Sequence, residues 1–411
     1  MGTRTEFAMN ILVVDDEPFV LKLHLRLLAN LGYTSVTLCE GAMRALETMD
    51  LADKPVDLIL LDLNMPGMDG IEFLRHLVKR DYRGSLILVS GEDERVLQAA
   101  EKLVQAHQIT SLGHLRKPVT PEMLAAFMAK WKPVSLCDAS AAKKNYSAEE
   151  VHAAIDNGEL VNYYQPTVSL TTGHVVGVET LVRWRHPADG MVFPDQFIGV
   201  AEAHGLICDL TRKVIAGALT DVNAWQQEWQ QETGLALQVA INVSMDDLQS
   251  LDFVDYVVGQ AAAAGVLPNR VALEVTESRL MQDMRVPLEV LTRLRLKRFR
   301  ISIDDFGTGH SSLAQLRDMP FDELKIDRGF VHRAWAEETV RAIFNTSVNL
   351  AKQLGMDIVA EGVEDRADWD FVRRSKCDIA QGYFIAKPMP GNLLSDWIID
   401  WEDRSLVTSA V

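Results

Sequence analysis

The chain has 411 residues, is 48% hydrophobic and 24% charged, and carries a net charge of −17. That length exceeds one ordinary core and calls for two domains or more, and the composition excludes a disordered chain. The acidity argues against direct DNA binding, which rests on neutralising phosphates, and no apolar run approaches the roughly 18 residues that span a bilayer.

Residues 1–8 read as a cloning remnant, with Met9 as the natural start and no secretory signal. Cys39, Cys137, Cys208 and Cys377 are scattered without CxxC spacing, as expected of reduced thiols in a cytoplasmic protein. From Met9 to about Trp131, short apolar runs alternate with helical stretches. Ile11 to Val14 ends at Asp15 and Asp16, and an amphipathic stretch follows from Phe19 to Leu31. Leu58 to Leu61 ends at Asp62, and Leu86 to Val89 ends at Ser90. His114 to Val119 closes the series, and Thr120 opens a final helix toward Trp131. Continuous apolar runs between helices predict parallel strands buried on both faces, hence an α/β doubly wound domain.

Asp15, Asp16, Asp62, Ser90 and Lys117 all fall at strand ends and are predicted to gather at one mouth of that sheet. Three carboxylates there repel one another unless a divalent cation neutralises them, and Mg²⁺ prefers such oxygen ligands. The segment resembles the receiver domain of response regulators, on Leu61 to Gly70 and on Arg116, Lys117 and Pro118. The resemblance implies a flavodoxin-like fold, one Mg²⁺, and phosphorylation of Asp62 by a sensor histidine kinase. Two features depart from the family: a longer stretch between Ser90 and Lys117, and His114 where an aromatic switch residue is usual.

Residues 132–146 turn polar and are predicted to be a linker. The remainder, 147–405, again alternates over about 250 residues, the usual size of a (β/α)₈ barrel. Predicted strands are Tyr163 to Leu170, Val175 to Val182, Leu237 to Val243, Val271 to Val275, Arg300 to Ile303, Leu324 to Ile326, Ile358 to Ala360 and Ile379 to Tyr383. Helices are expected over Phe197 to Trp229 and Thr339 to Leu354. Glu179, Asn242, Glu274, Asp304, Asp305, Lys325, Glu361 and Gln381 sit at strand ends, where such barrels carry their active sites.

Asp304 and Asp305 stand side by side before a Gly-rich turn. Neighbouring strand residues point to opposite faces, so both serve one site only if the strand ends between them. Alone, the pair also reads as turn chemistry with a helix cap. With Glu179, Asn242 and Glu274 it forms a hard oxygen set suited to Mg²⁺ or Mn²⁺ rather than zinc. A second ion at Asp305 gives a site able to support in-line displacement at phosphorus. Lys325 can place a positive charge on the attacking water or phosphate, Glu361 is a candidate general base or metal ligand, and Asp327 its candidate partner.

These residues carry a second resemblance. Tyr164 to Pro166, Glu179 to Trp184, Asn242 to Ser244, Glu274 to Glu277, Asp304 to Gly309, Leu324 to Asp327, Glu361 to Glu364 and Gln381 to Tyr383 are similar to the EAL family, phosphodiesterases of cyclic di-GMP. The resemblance implies a modified TIM barrel with one antiparallel strand and the linear product pGpG. It implies that Glu179, Asn242, Glu274 and Asp304 bind one metal and that Asp305 and Asp327 serve a second. Lys325 and Glu361 then handle the attacking water, with Gln381 supporting the site. Gln165, Leu181 and Arg183 contact substrate, and Glu277 tethers a regulatory loop of Phe306, Gly307, Thr308 and Gly309. Thr180 replaces the usual alanine but alternates away from Glu179.

The resulting expectation is a phosphorylation-regulated cyclic di-GMP phosphodiesterase, forming a homodimer or higher homo-oligomer, with two metals in the barrel. The loop beginning at Asp305 is expected to pass the signal from the receiver to the metals. The alternative is a non-hydrolysing cyclic di-GMP receptor acting through protein partners.

Overall fold

The computed structural model describes residues 9–52, 54–107, 109–131, 144, 146–229, 237–276, 284–307 and 313–408. The predicted remnant 1–8 and nearly all of the linker lie outside them, as do Glu277, Thr308 and Gly309. The chain forms two compact units, residues 1–142 and 143–411.

In the first unit five parallel strands run β1 (Ile11–Asp15), β2 (Val36–Glu40), β3 (Leu58–Asp62), β4 (Ser85–Ser90) and β5 (Thr110–Arg116). Their spatial order is β2-β1-β3-β4-β5. Alternation along the strands splits the core in two. Leu12, Val14, Ile59 and Leu61 pack with Phe73 and Leu77 on one face, and Ile11, Val13, Leu58 and Leu60 pack with Leu28 and Leu124 on the other. β2 is not among the expected strands. It is an edge strand in which only Cys39 is buried, the rest being exposed or half-buried, so it lacks the continuous apolar run that marks β1, β3 and β4. The register of β5 against β4 slips between Leu86 and Ile87. This bulge at Leu112 absorbs one residue of the long stretch between Ser90 and Lys117.

The second unit is a barrel. Its strands are β6 (Leu160–Ser169), β7 (Val175–His186), β8 (Gly190–Val192), β9 (Gln238–Val243), β10 (Val271–Thr276), β11 (Arg300–Phe306), β12 (Glu323–Ile326), β13 (Asp357–Ala360), β14 (Ile379–Ala380) and β15 (Met389–Pro390). The ring runs β6-β14-β13-β12-β11-β10-β9-β7 and closes through β6 and β7. β6 is antiparallel to both neighbours, and the other pairs in the ring are parallel. This is an eight-stranded α/β barrel with one reversed strand.

Surrounding helices present apolar stripes to it. The helix Glu338–Gln353 buries Phe344, Ser347, Val348 and Ala351 at helical spacing, and fully burying a side chain like Phe344 stabilises by about 1.5–3 kcal/mol. The single helix expected from Phe197 to Trp229 is two, Ile198–Ala203 and Ile207–Trp229. Gly205 between them has φ +70, a left-handed conformation that interrupts the helix and suits glycine. The strand expected to reach Tyr383 stops at Ala380. At Gly382 a Cβ would lie 2.1 Å from the Val363 carbonyl oxygen, so that backbone approach requires glycine. Among the described residues no helix is long and apolar enough to cross a membrane.

Candidate active site

β11 does not end between the two aspartates. It continues through Asp304 and Asp305 to Phe306, and its register against β12 shifts between Ile303 and Phe306. Asp305 has φ +54, and its N–H donates to Asp304 Oδ1 at 2.9 Å. This irregularity defeats the strict alternation of a strand. Asp304, Asp305 and Glu361 thereby each bring a carboxylate oxygen to within 4.8 Å of the others.

Lys325 rises from β12 into the middle of the acids and is almost fully buried. Its Nζ lies 2.6 Å from Glu361 Oε1, 2.8 Å from Glu274 Oε1, and 3.4 Å from both Glu179 Oε2 and Asp304 Oδ1. Burial penalises the ammonium, but Asp304, Glu179, Glu274 and Glu361 outweigh it and raise its pKa well above the ordinary value. One cation does not balance so many carboxylates. Burial, together with Glu179 and Asp304, pushes Glu274 well up despite Lys325, and Glu361 moves the same way by burial and Asp304. Asp305 is pushed up to about 6, chiefly by burial and then by Asp304 and Asp327. Glu179 is the exception. Burial opposes its charge, but Lys325 and hydrogen bonds from Gln381 and Asn242 hold it below the carboxylate range.

The other side of the mouth is a chain of amides. Gln381 Nε2 donates to Glu179 Oε2 at 2.6 Å and to Gln165 Oε1 at 3.0 Å. Gln165 donates onward to the Ala386 carbonyl at 3.0 Å, and Asn242 Nδ2 donates to Glu179 Oε1 at 3.1 Å. Asp327 caps the short helix Arg328–Val331 by accepting from the Gly329 N–H at 2.8 Å.

The residues fit a divalent cation. The donors are carboxylate and amide oxygens, the set that Mg²⁺ and Mn²⁺ prefer. Glu274 Oε2 is buried without a hydrogen-bond partner among the described residues, which a metal or an ordered water would satisfy.

Arg183 is buried beneath two rings, 5.1 Å from the Phe193 centroid and 5.7 Å from that of Tyr163. Phe193 is exposed and offers an aromatic face to Arg183. No sequence signal marks it, because a lone aromatic ahead of a proline is ordinary. Leu181 and Thr180 line a side cavity of about 230 Å³ together with Asn242, Pro194 and Glu202, whereas Glu179 lines the barrel interior, so Thr180 does face away from the acids. Gly307, with φ +100, meets Phe330, and a Cβ there would lie 2.6 Å from its ring. Phe306 and Gly307 are described, while the other expected loop residues, Glu277, Thr308 and Gly309, lie outside the described residues.

In the first unit Asp15, Asp16 and Asp62 also bring carboxylate oxygens to within 4.8 Å of one another. Lys117 Nζ spans Asp15 Oδ2 at 2.8 Å and Asp62 Oδ2 at 2.7 Å. Burial raises the pKa of Asp62 against the pull of Lys117. Ser90 is fully buried beside them, and its carbonyl accepts from the Lys117 N–H at 2.9 Å. His114 Nδ1 lies 2.7 Å from Glu101 Oε2 on the helix Glu94–Ala106, a contact that ties β5 to that helix.

Comparison with known proteins decides the family. The EAL domain model matches residues 148–388, and the response regulator receiver domain model matches residues 11–129. The chain belongs to the EAL domain family, with an N-terminal receiver domain. It is 32% identical over 391 residues to the cyclic di-GMP phosphodiesterase RocR of Pseudomonas aeruginosa, covering 95% of this chain and 98% of that protein. The EAL part is 38% identical to the cyclic di-GMP phosphodiesterase NbdA of the same organism, over 61% of this chain and 30% of NbdA. Among solved structures, the PaMucR phosphodiesterase in complex with c-di-GMP superposes with a TM-score of 0.56 at 36% identity, over 60% of this chain and 98% of that one.

Proposed function

We propose that this EAL protein hydrolyses cyclic di-GMP to linear pGpG and that phosphorylation of Asp62 regulates it. The observation that carries the reading is the convergence of Asp304, Asp305 and Glu361 around a buried Lys325 at the C-terminal mouth of the barrel. Its relatives RocR and NbdA are named as phosphodiesterases of this substrate.

Two cations, held by Glu179, Asn242, Glu274 and Asp304 and by Asp305 and Asp327, would supply Lewis-acid stabilisation of the phosphate and of the attacking oxygen. The chain's own groups do the rest. Glu361, whose pKa burial and Asp304 raise, is placed to accept a proton from the attacking water. Lys325, 2.6 Å away, stabilises the charge that develops there. Arg183 offers its guanidinium to a substrate phosphate, with Gln165 and Leu181 beside the dinucleotide. Gln381 orients Glu179 through its 2.6 Å hydrogen bond.

In the receiver, Asp62 accepts the phosphoryl group from a histidine kinase, with one Mg²⁺ at Asp15 and Asp16 and with Ser90 and Lys117 on the phosphoryl oxygens. The signal reaches the barrel metals through the loop that begins at Asp305. The chain is assigned to the cytoplasm and to a homo-oligomer on the same reading.

The test is chromatographic detection of pGpG from cyclic di-GMP with Mg²⁺ or Mn²⁺, with and without a phosphoryl donor. Product with either metal, at a rate the donor changes, is the expected outcome. Tight binding without product under both metals replaces the enzyme with a receptor, and equal rates with and without the donor remove the regulatory part.

A further inference from the structure

Asp368 is a fully buried carboxylate to which the hydrolytic scheme assigns no role. It lies in the first turn of the helix Arg366–Arg374, where its own N–H donates to the capping Asp365 at 2.9 Å. Among the described residues no lysine or arginine pairs with it. Instead Oδ1 accepts from the Arg333 N–H at 2.9 Å, and Oδ2 accepts from the Glu364 N–H at 3.2 Å and faces His332 Nδ1 at 2.8 Å. These donors come from two separate segments. Residues 327–333 follow β12 and begin with Asp327, and residues 361–364 follow β13 and begin with Glu361.

The same two segments meet again on their outer side. Arg328 pairs with Glu364 at 2.6 Å, and it lies so close over Gly362 that a Cβ there would sit 2.3 Å from Arg328 Cγ. His332 Nε2 is 3.8 Å from the other oxygen of Glu364. Arg333 holds φ +61, a conformation that is strained for arginine and that its hydrogen bond to Asp368 compensates. A buried carboxylate without a cation is retained at a cost unless its hydrogen bonds hold something in place. Here they hold the Asp327 segment against the Glu361 segment.

We propose that Asp368, with His332, is a positioning residue that fixes Glu361 and Asp327 against Lys325 and so sets both the metal affinity and the placement of the attacking water. The inference rests on the hydrolytic reading above, which assigns Glu361 and Asp327 their roles. Asp368 is assigned to neither substrate nor metal in that scheme and acts through backbone geometry. Groups that orient ligands in this way typically contribute 10–100-fold to metal affinity or activity.

The test uses the full chain carrying Asp368→Asn, which preserves volume but exchanges one acceptor for a donor facing backbone N–H groups. It is paired with His332→Ala and with His332→Asn, which keeps a donor near the place of Nδ1. The first readout needs no turnover. Hydrogen exchange of the metal-free protein should rise in peptides covering 327–334 and 361–368 while the rest of the barrel is unchanged, and the Mn²⁺ binding midpoint by calorimetry should weaken by about 10-fold or more. In turnover, kcat should fall by a similar factor with KM within about threefold, because Gln165 and Arg183 lie on other strands. His332→Asn should recover most of what His332→Ala loses.

A folded Asp368→Asn protein with unchanged exchange, Mn²⁺ midpoint and kcat overturns the proposal. So does a loss shared equally by KM and kcat with general loss of protection, which describes a merely structural residue. Should Asp368→Asn fail to fold, the histidine pair decides, and equal behaviour of the two variants overturns it. If wild type makes no product, the hydrolytic reading fails, while the Mn²⁺ midpoint and exchange pattern still report on Asp368.

Discussion

Asp305 gives a sign reversal that can be worked out beforehand. In the metal-free protein its carboxyl is pushed from 3.8 up to about 6 by burial and by Asp304 and Asp327. The folded state therefore binds more protons than the unfolded state between about pH 4 and pH 6. Stability must then fall as pH rises through that window. Once ionised, such a group costs folding roughly 3 kcal/mol if the shift is transmitted in full. Solvent screening at this partly exposed carboxylate reduces that to about 1–2 kcal/mol. Glu274 and Glu361, raised well above their ordinary range, act in the same direction.

Asp305→Asn removes the ionisation while keeping the shape. In chelator at pH 7 the variant's barrel should melt higher than wild type by about 2–8 °C, taking about 2–4 °C per kcal/mol at this size, and the gap should shrink to about a third by pH 4.5. In saturating Mg²⁺ or Mn²⁺ the order should invert, because wild type gains more from an ion that binds only the folded state. The assay is a set of thermal scans from pH 4.5 to 7.5 with chelator or metal, following the barrel transition by tryptophan fluorescence. A metal-free variant no more stable than wild type at pH 7, or a gap that metal fails to invert, refutes the reasoning that these acids are held together for a cation.

Two further outcomes follow, one for each unit. Lys325→Met removes the ammonium that four carboxylates share. In urea titrations without metal it should lose about 3–5 kcal/mol at pH 7, and less at pH 5, where the carboxyls protonate. Turnover should fall by about 10²–10⁴, and retention of more than a tenth of wild-type kcat would contradict the role given to Lys325. Asp62→Asn should abolish phosphoryl incorporation from acetyl phosphate, read by intact mass, and should make pGpG formation indifferent to the donor. Incorporation at wild-type level would move the acceptor to another residue.

Much of both units was legible because their strands are short apolar runs ended by polar residues. Asp15, Asp62, Glu274 and Lys325 each stand where such a run stops or its inner face turns polar, and chain order then brings them together. What stayed hidden has a physical reason in each case. β2 is an edge strand without a continuous apolar run. The conformation of Asp305 is a backbone event that aspartate tolerates better than most residues, and nothing in the letters distinguishes it from an ordinary strand end. Asp368 and His332 stand 36 positions apart, and each taken alone reads as a surface polar residue on a helix.

The two clusters share a logic but differ in what their lysines can do. In each, a lysine holds together carboxylates that are gathered more closely than their charges favour. Lys325 is boxed in by four acids and is 2% exposed, so an arriving cation must be accommodated around a fixed ammonium. Lys117 contacts two acids and keeps 21% of its side chain exposed. Burial weighs against its charge, but Asp15 and Asp62 raise its pKa, so the two acids hold it as an ammonium. In the proposed phosphoryl transfer, Asp15 and Asp16 would hold a cation that supplies neutralising charge there. Lys117, at 2.7 Å from Asp62 Oδ2, would be within reach of a phosphoryl oxygen on Asp62. The barrel lysine is thus suited to chemistry at a fixed point, and the receiver lysine to reporting a change in its partner.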